Sequence, residues 1–318
     1  MPSPRLSIGV PVYNGEAFLR QTLESILPQS FGEFELIISD NASTDGTAAI
    51  AREFAARDAR VRYHRNETNL GLAKNYNLLF ALASGEYFKW ASADDLLLPG
   101  YLERCVGVLD HDPTVVLVYP KTRFVDAAGK ILDIEDPGWN LMSDQPHERL
   151  RYVIISAHWV NSILGVIRSR ALGRTRLLPS YPGGDYCVLG ELCLMGKFFE
   201  IAEFLYQRRI HPGASSQHQR EARVIAEYWK GKGASVPMPQ WSRSYDHFRT
   251  LMGSDLGAGA KLSVSLSLLR AMYWRRGRLW REIRIAAGAR LGRDQALNGG
   301  GTGSGQAPGG DTQQARRA

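Results

Sequence analysis

Three polar clusters in this 318-residue chain close short apolar runs: Tyr13-Asn14 ends LSIGVPVY, Asp40-Asn41 ends FELIISD, and Ser92-Ala93-Asp94-Asp95 ends EYFKWAS. One Asp or Asn after a strand is ordinarily a turn or a helix cap. Three on one expected edge point to a shared ligand. Adjacent carboxylates such as Asp94 and Asp95 can hold a hard divalent cation, which in turn bridges phosphate oxygens. Lys74, on a helix opening behind Asn69-Leu70-Gly71, would add a fixed positive charge. Glycine-rich phosphate loops are missing: no G-x-G-x-x-G follows the first run, and G-x-x-x-x-G-K-[ST] occurs nowhere. Their absence argues against a dehydrogenase or a nucleotidyltransferase on a similar sheet.

The elements that must position these groups follow from periodicity. Apolar runs predict strands at 6–13, 34–40, 61–64, 86–92 and 115–119. Between them, 3.6-residue spacing predicts helices over 16–27 (Phe18, Leu19, Leu23, Ile26, Leu27), 47–57, 71–83 and 99–110, the last started by Pro99. Strands alternating with helices of this length predict an α/β fold, a mostly parallel sheet with helices on both faces. Ligands then sit outside the carboxyl ends of the strands. The middle is less regular: a helix near 146–156, a strand in 161–169, a helix over 185–196 and extended structure over 198–210.

The 39 Lys and Arg outnumber the 32 Asp and Glu, but residues 1–215 carry 22 against 25 and residues 216–318 carry 17 against 7. The whole positive excess belongs to the last third. Residues 261–293 combine Leu262, Leu266, Leu269, Tyr273, Leu279, Trp280 and Ile283 with nine basic residues and the single acid Glu282. The organisation expected is a 1–215 α/β body, a 216–260 helical and linker region, a 261–294 basic amphipathic segment, and a Gly-rich 295–318 tail whose composition reads as disordered. No run approaches a membrane span, and the N-terminus lacks signal-peptide architecture. Cys105, Cys187 and Cys193 lie among apolar residues without metal-ligand spacing and read as reduced core thiols, which suits a cytoplasmic protein.

Taken together, IGVPVYNGEAFLRQTLESIL, FELIISDNASTDGT, NLGLAKNYN and YFKWASADDLLLPGYLE resemble glycosyltransferase family 2 in motif, order and spacing, over roughly residues 5–215. The resemblance implies a GT-A fold and inverting sugar transfer from a nucleotide-sugar donor. It further implies that Pro11, Val12 and Tyr13 line the nucleobase pocket, that Asp40 hydrogen-bonds the base with Asp45 close by, and that Lys74 replaces a family arginine near the nucleotide. The family's D-x-D falls on Ser92-Ala93-Asp94, so the carboxylate that usually addresses the ribose is absent. Asp94 is then the metal ligand, with Mg2+ or Mn2+ as cofactor, and Asp95 helps shape the donor site. GGDYCVLGEL resembles the segment holding the catalytic base, pointing to Asp185, with Gly184 where an acid often precedes it. Alternatively, Asp185 is a helix cap; Glu191, on another face of the same helix, ranks second as base. YQRRIHPGASS resembles the segment whose histidine reaches the metal or leaving diphosphate, pointing to His211 with Arg208 or Arg209 nearby. Asp40, Asp94 and Asp185 are thus expected around one cation and one diphosphate-linked sugar.

Tyr87, Phe88, Trp90 and Trp159 read as core or sugar-stacking walls. The basic segment suits an interfacial helix on an anionic membrane or, equally, a solvated face on a packed helix. With a carbohydrate or lipid-linked acceptor, the first reading places the protein on the inner face of the cell membrane. Nucleic acid is not the expected partner. The rival to an enzyme is a catalytically weak nucleotide-sugar-binding or membrane-associated interaction protein on the same fold.

Overall fold

Residues 3–134, 138–156, 160–214 and 238–290 are described by a computed structural model. The first strands, β1 (Leu6–Val12) and β2 (Phe34–Asp40), are buried along their whole length, as expected for parallel strands covered on both faces. Helix α1 (Leu19–Ile26) joins them, and α2 (Thr47–Arg57) leads to β3 (Val61–Arg65). Then come α3 (Leu72–Leu82), β4 (Tyr87–Trp90), the two-residue β5 (Leu96–Leu97), α4 (Tyr101–His111) and β6 (Val115–Asp126). After α5 (Pro146–Ile155), the expected 161–169 strand divides into a 3-10 turn (Asn161–Leu164) and a short β7 (Val166–Arg168). A one-turn α6 (Ser169–Leu172) precedes α7 (Asp185–Met195) and β8 (Lys197–Ile210). Three helices end the described chain: α8 (Pro239–Met252), α9 (Ala258–Trp274) and α10 (Arg276–Arg290).

The eight strands form one sheet in the order β3-β2-β1-β4-β7-β6-β8-β5. β1 to β4 are mutually parallel, whereas β7 runs antiparallel to both β4 and β6. Along each strand, alternate side chains enter opposite cores, as a period of two requires. Leu36 and Ile38 join one face with Tyr87 and Val166; Ile37 joins the other with Phe88, Trp90 and Ile167. Tyr87, Phe88 and Trp90 are therefore core, while Trp159 lies outside the described residues.

Register sets the functional edge. Val12 pairs with Asp40, and Asp40 with Arg65, so three strands end level. β4 stops at Trp90 opposite Gly9, three residues short of that edge, which brings the 92–95 loop in beside the β1 loop. β5 pairs antiparallel with β8, Leu96 opposite Gln207. Continued past Leu96, that register carries Arg208, Arg209 and His211 alongside Asp95 and Asp94. In the C-terminal third, α9 inserts Val264, Leu268 and Ala271 into the same core as α5 and α7. The expected boundary at residue 260 falls inside this helix, and the 295–318 tail lies outside the described residues.

Candidate active site

At the end of β1, Pro11 and Val12 are buried and Tyr13 is exposed. The next residue, Asn14, adopts a left-handed φ of 52° that asparagine tolerates better than most residues. Its side-chain Oδ1 accepts the Thr44 backbone N–H at 2.9 Å, while its own N–H donates to Ser43 Oγ at 2.9 Å. Asp45 accepts from the Thr47 hydroxyl at 2.5 Å and from the Glu16 backbone N–H at 3.1 Å. Burial raises the Asp45 pKa, but these hydrogen bonds outweigh it and hold the carboxylate below its usual range. Asp45 therefore fastens the β1 and β2 loops together.

Asp40 lies below that surface. It is fully buried. One oxygen accepts the Ser43 N–H at 2.8 Å; the other accepts the Tyr63 hydroxyl at 2.8 Å and the Arg65 guanidinium at 2.6 Å. The residue expected to address the base is thus occupied by the protein, and the group it presents outward is Arg65, which is part-exposed. Arg65 was not singled out in the sequence, although the register partner of Asp40 on β3 is where it sits.

An asparagine network, buried at Asn41, Asn66 and Asn75, orients the next loop. Asn75 accepts from Ser39 Oγ at 2.6 Å and Asn66 Nδ2 at 2.9 Å; Asn41 donates to Asn69 at 2.8 Å and accepts the Leu70 N–H at 2.9 Å. This tethers the start of α3, from which Lys74 projects exposed, with no ion pair among the described residues. Asparagines in turns are too common for the sequence to have marked them.

Asp94 and His211 meet across the β4 and β8 ends. His211 Nε2 is 2.9 Å from Asp94 Oδ2, and Ser92 Oγ donates to Asp94 Oδ1 at 2.5 Å. Burial works against the Asp94 charge, but these two partners win and hold its pKa below the usual carboxylate value. Phe18 packs on the His211 ring with centroids 4.6 Å apart. Asp95 points the other way into the core, accepting the Arg209 N–H at 2.7 Å and the Tyr206 hydroxyl. Burial, with the adjacent Asp94 charge, raises its pKa. Asp95 therefore anchors β8 under the loop. The Arg209 side chain completes the anchor, donating to Asp94 O at 2.9 Å and Gln21 Oε1 at 2.8 Å.

Asp185 opens α7. Gly183 has φ +80°, and a Cβ at Gly184 would lie 2.7 Å from Pro179 Cγ. Only glycines make this turn, which explains why no acid precedes Asp185. Burial pushes the Asp185 pKa up to about 6, opposed by the Tyr186 N–H and by the charges of Arg208 and Arg243. The charge of Arg208 favours ionisation of both Asp95 and Asp185. Glu191 is engaged by the Arg176 side chain and by the Arg176 N–H, the latter at 2.7 Å. Arg243 enters from α8, with its guanidinium 4.8 Å from the Tyr186 ring centroid. Sequence spacing gave no sign that a helix so far downstream would return here.

Among the described residues, no group of three or more His, Cys, Asp or Glu could hold a metal. Asp40 accordingly shares no ligand set with Asp94 and Asp185. One carboxylate oxygen and one imidazole nitrogen remain. That donor set fits Mg2+ or Mn2+ bound with substrate phosphates and water, the usual arrangement where the protein supplies only one or two ligands.

A sheet of this topology, with an acid–histidine pair at its carboxyl edge, has the GT-A architecture. The profile described as "Glycosyl transferase family 2" matches residues 7–177, more than half the chain, and the protein belongs to that family. Bacillus subtilis EpsE, named as a glycosyltransferase, is 41% identical over 108 residues, covering 34% of this chain and 39% of the relative. The chain spans 51% and 29% of two other curated relatives. In three dimensions it resembles residues 1–349 of S. aureus TarS in complex with UDP-GlcNAc: TM-score 0.68, 16% identity, covering 90% of this chain and 81% of that one. It also resembles the mannosyltransferase PcManGT of Pyrobaculum calidifontis in complex with GDP-Man and Mn2+: TM-score 0.51, 19% identity, covering 91% and 87%. No described helix is long and apolar enough to cross a membrane.

Proposed function

We propose that this chain is a metal-dependent, inverting glycosyltransferase that moves a sugar from a nucleoside-diphosphate donor to a hydroxyl of a carbohydrate or lipid-linked acceptor, in the synthesis of a cell-surface polysaccharide, glycolipid or related glycoconjugate. The observation that carries this reading is the Asp94–His211 pair, 2.9 Å apart, on the same sheet edge as a carboxylate whose pKa is raised to about 6. Family membership and the nucleotide-sugar complexes of the structural neighbours support the donor class.

The acceptor hydroxyl is a weak nucleophile until a base takes its proton. Asp185 takes that proton as the acceptor oxygen bonds to the anomeric carbon, and the bond from that carbon to the phosphate oxygen breaks on the opposite side. The leaving diphosphate gains charge, which Lys74 and the Asp94–His211 end of the site receive. Mg2+ or Mn2+ held by Asp94 Oδ2 and His211 would supply charge neutralisation there. Tyr13 and the edges of Pro11 and Val12 wall the nucleobase. Asp40, Asp45 and Asp95 act from beneath, the first through Arg65 and the last through β8. The protein works in the cytoplasm, attached peripherally to the inner membrane face through its basic C-terminal helices.

The test is a panel of nucleotide sugars followed by thermal shift with and without Mn2+, then turnover of the best donor. A donor that raises Tm only with the metal supports the reading. No donor response anywhere in the panel rejects it.

A further inference from the structure

The C-terminal helices carry two apolar stripes that face away from the protein. On α9, Leu262, Leu266, Leu269 and Tyr273 recur at i, i+4, i+7 and i+11, which at 100° per residue confines them to an arc of about 60°. All four are between 59% and 63% exposed. The opposite side of the helix, Val264, Leu268 and Ala271, is the side packed into the core. Helix α8 repeats the spacing with Trp241, Tyr245, Phe248 and Met252, all exposed, while His247, Thr250 and Leu251 face inward. The two helices pack together through a short turn, and α10 adds an exposed Trp280. The sequence left open whether the basic segment packs on the protein or meets a surface. Each helix in fact has one side for packing and a second, apolar side left over.

Charge identifies what covers it. Residues 238–290 hold ten Lys and Arg against three Asp and Glu. Of those acids, Glu282 is spent accepting the Gln240 and Trp241 N–H groups at the start of α8, and Asp246 is paired with Arg176; Asp255 sits in the turn. Arg270, Arg276, Arg278, Arg281 and Arg284 are exposed. Two of them lie against aromatics at the stripe's edge, Arg270 with its guanidinium 4.5 Å from the Trp274 ring and Arg276 4.3 Å from Tyr273. Leucines flanked by aromatics, with guanidiniums at their rim, match the boundary between acyl chains and anionic headgroups.

We infer that the outer faces of α8 and α9, with the arginines of α10, form a docking surface for an anionic lipid bilayer, and that leucines 262, 266 and 269 enter it. This specifies the peripheral attachment read above and stands apart from the transfer chemistry, because binding is measured without donor or acceptor.

Full-length protein is sedimented with phosphatidylcholine vesicles and with phosphatidylcholine–phosphatidylglycerol vesicles at two ionic strengths. Binding is expected only with the anionic lipid, weakening as salt rises. Replacing Arg278 or Arg281 with Gln should lower partitioning about five-fold each. The Leu266→Glu, Leu269→Glu double variant should lower it more than about ten-fold, with an unchanged thermal melt because both side chains are exposed. Equal binding to both vesicle types, binding to neither, or indifference to the leucine changes overturns the inference. So does a dimer in light scattering that the leucine variant splits, or retention by nucleic acid without vesicle binding.

Discussion

Asp94 and Asp95 are consecutive residues turned to opposite sides of one loop. Asp94 Oδ2 meets His211 Nε2 at the open edge, and Asp95 reaches inward to the Arg209 N–H and the Tyr206 hydroxyl. Asp94→Asn should therefore cost less stability than Asp95→Ala yet abolish the metal dependence of donor binding, as chelation by EDTA should in the unmodified protein. Asp95→Ala leaves a buried N–H and hydroxyl without an acceptor, so it should destabilise the fold by about 1–3 kcal/mol in urea denaturation. Equal stability of the two variants would remove this division of labour.

Asp185 should set the acidic limb of the pH profile. As a base it must be deprotonated, so kcat/KM should fall below a pH of about 6. Asp185→Asn should lower kcat by ~10²–10⁴ while donor binding persists. Stability moves the other way. Between the ordinary carboxylate range and about 6, the unfolded chain has released this proton and the folded chain has kept it. The folded state then binds more protons, and stability declines as pH rises through that window. Urea unfolding at several pH values should show that decline in the native protein and a flatter profile in Asp185→Asn.

Asp40 offers a different outcome. Its carboxylate is the buried acceptor for Ser43, Tyr63 and Arg65, so Asp40→Asn should cost about 1–3 kcal/mol of stability. Nucleotide affinity, read by calorimetry, should fall along with it as Arg65 loses its anchor. Unaltered stability would show the three contacts to be dispensable.

Gly184 has no space for a side chain. Gly184→Ala places a Cβ 2.7 Å from Pro179 and should shift the start of α7, lowering kcat more than it raises donor KM. Stability should fall by about 1–3 kcal/mol. A kcat equal to that of the native protein would mean that the turn does not aim Asp185.

Lys74 is exposed and unpaired among the described residues, so Lys74→Met should leave the melting curve in place. On the proposed reading its charge acts on the diphosphate: donor affinity should weaken, more at low salt than at high, because an exposed charge is screened. Donor titrations at two ionic strengths measure this.

The sequence by itself determined the succession of strands and helices as far as β6, apart from the two-residue β5, because periods of 2 and 3.6 are local properties of the chain. The 34–40 strand and the 47–57 helix fall where their apolar spacing places them. The polar clusters at strand ends were equally legible, since a parallel sheet sends its loops to one edge. What only the tertiary structure decided was the direction in which each polar group faces. Asp40 is turned under Arg65, Asp94 and Asp95 are split between edge and core, and His211 is brought back to Asp94 from 117 residues away. The expected strand at 161–169 is a 3-10 turn followed by the three-residue β7, which pairs antiparallel with β4 and β6 across separations of about 50 to 80 residues. Pairings at such separations depend on burial and register across the whole sheet, and no window of neighbouring residues contains that information.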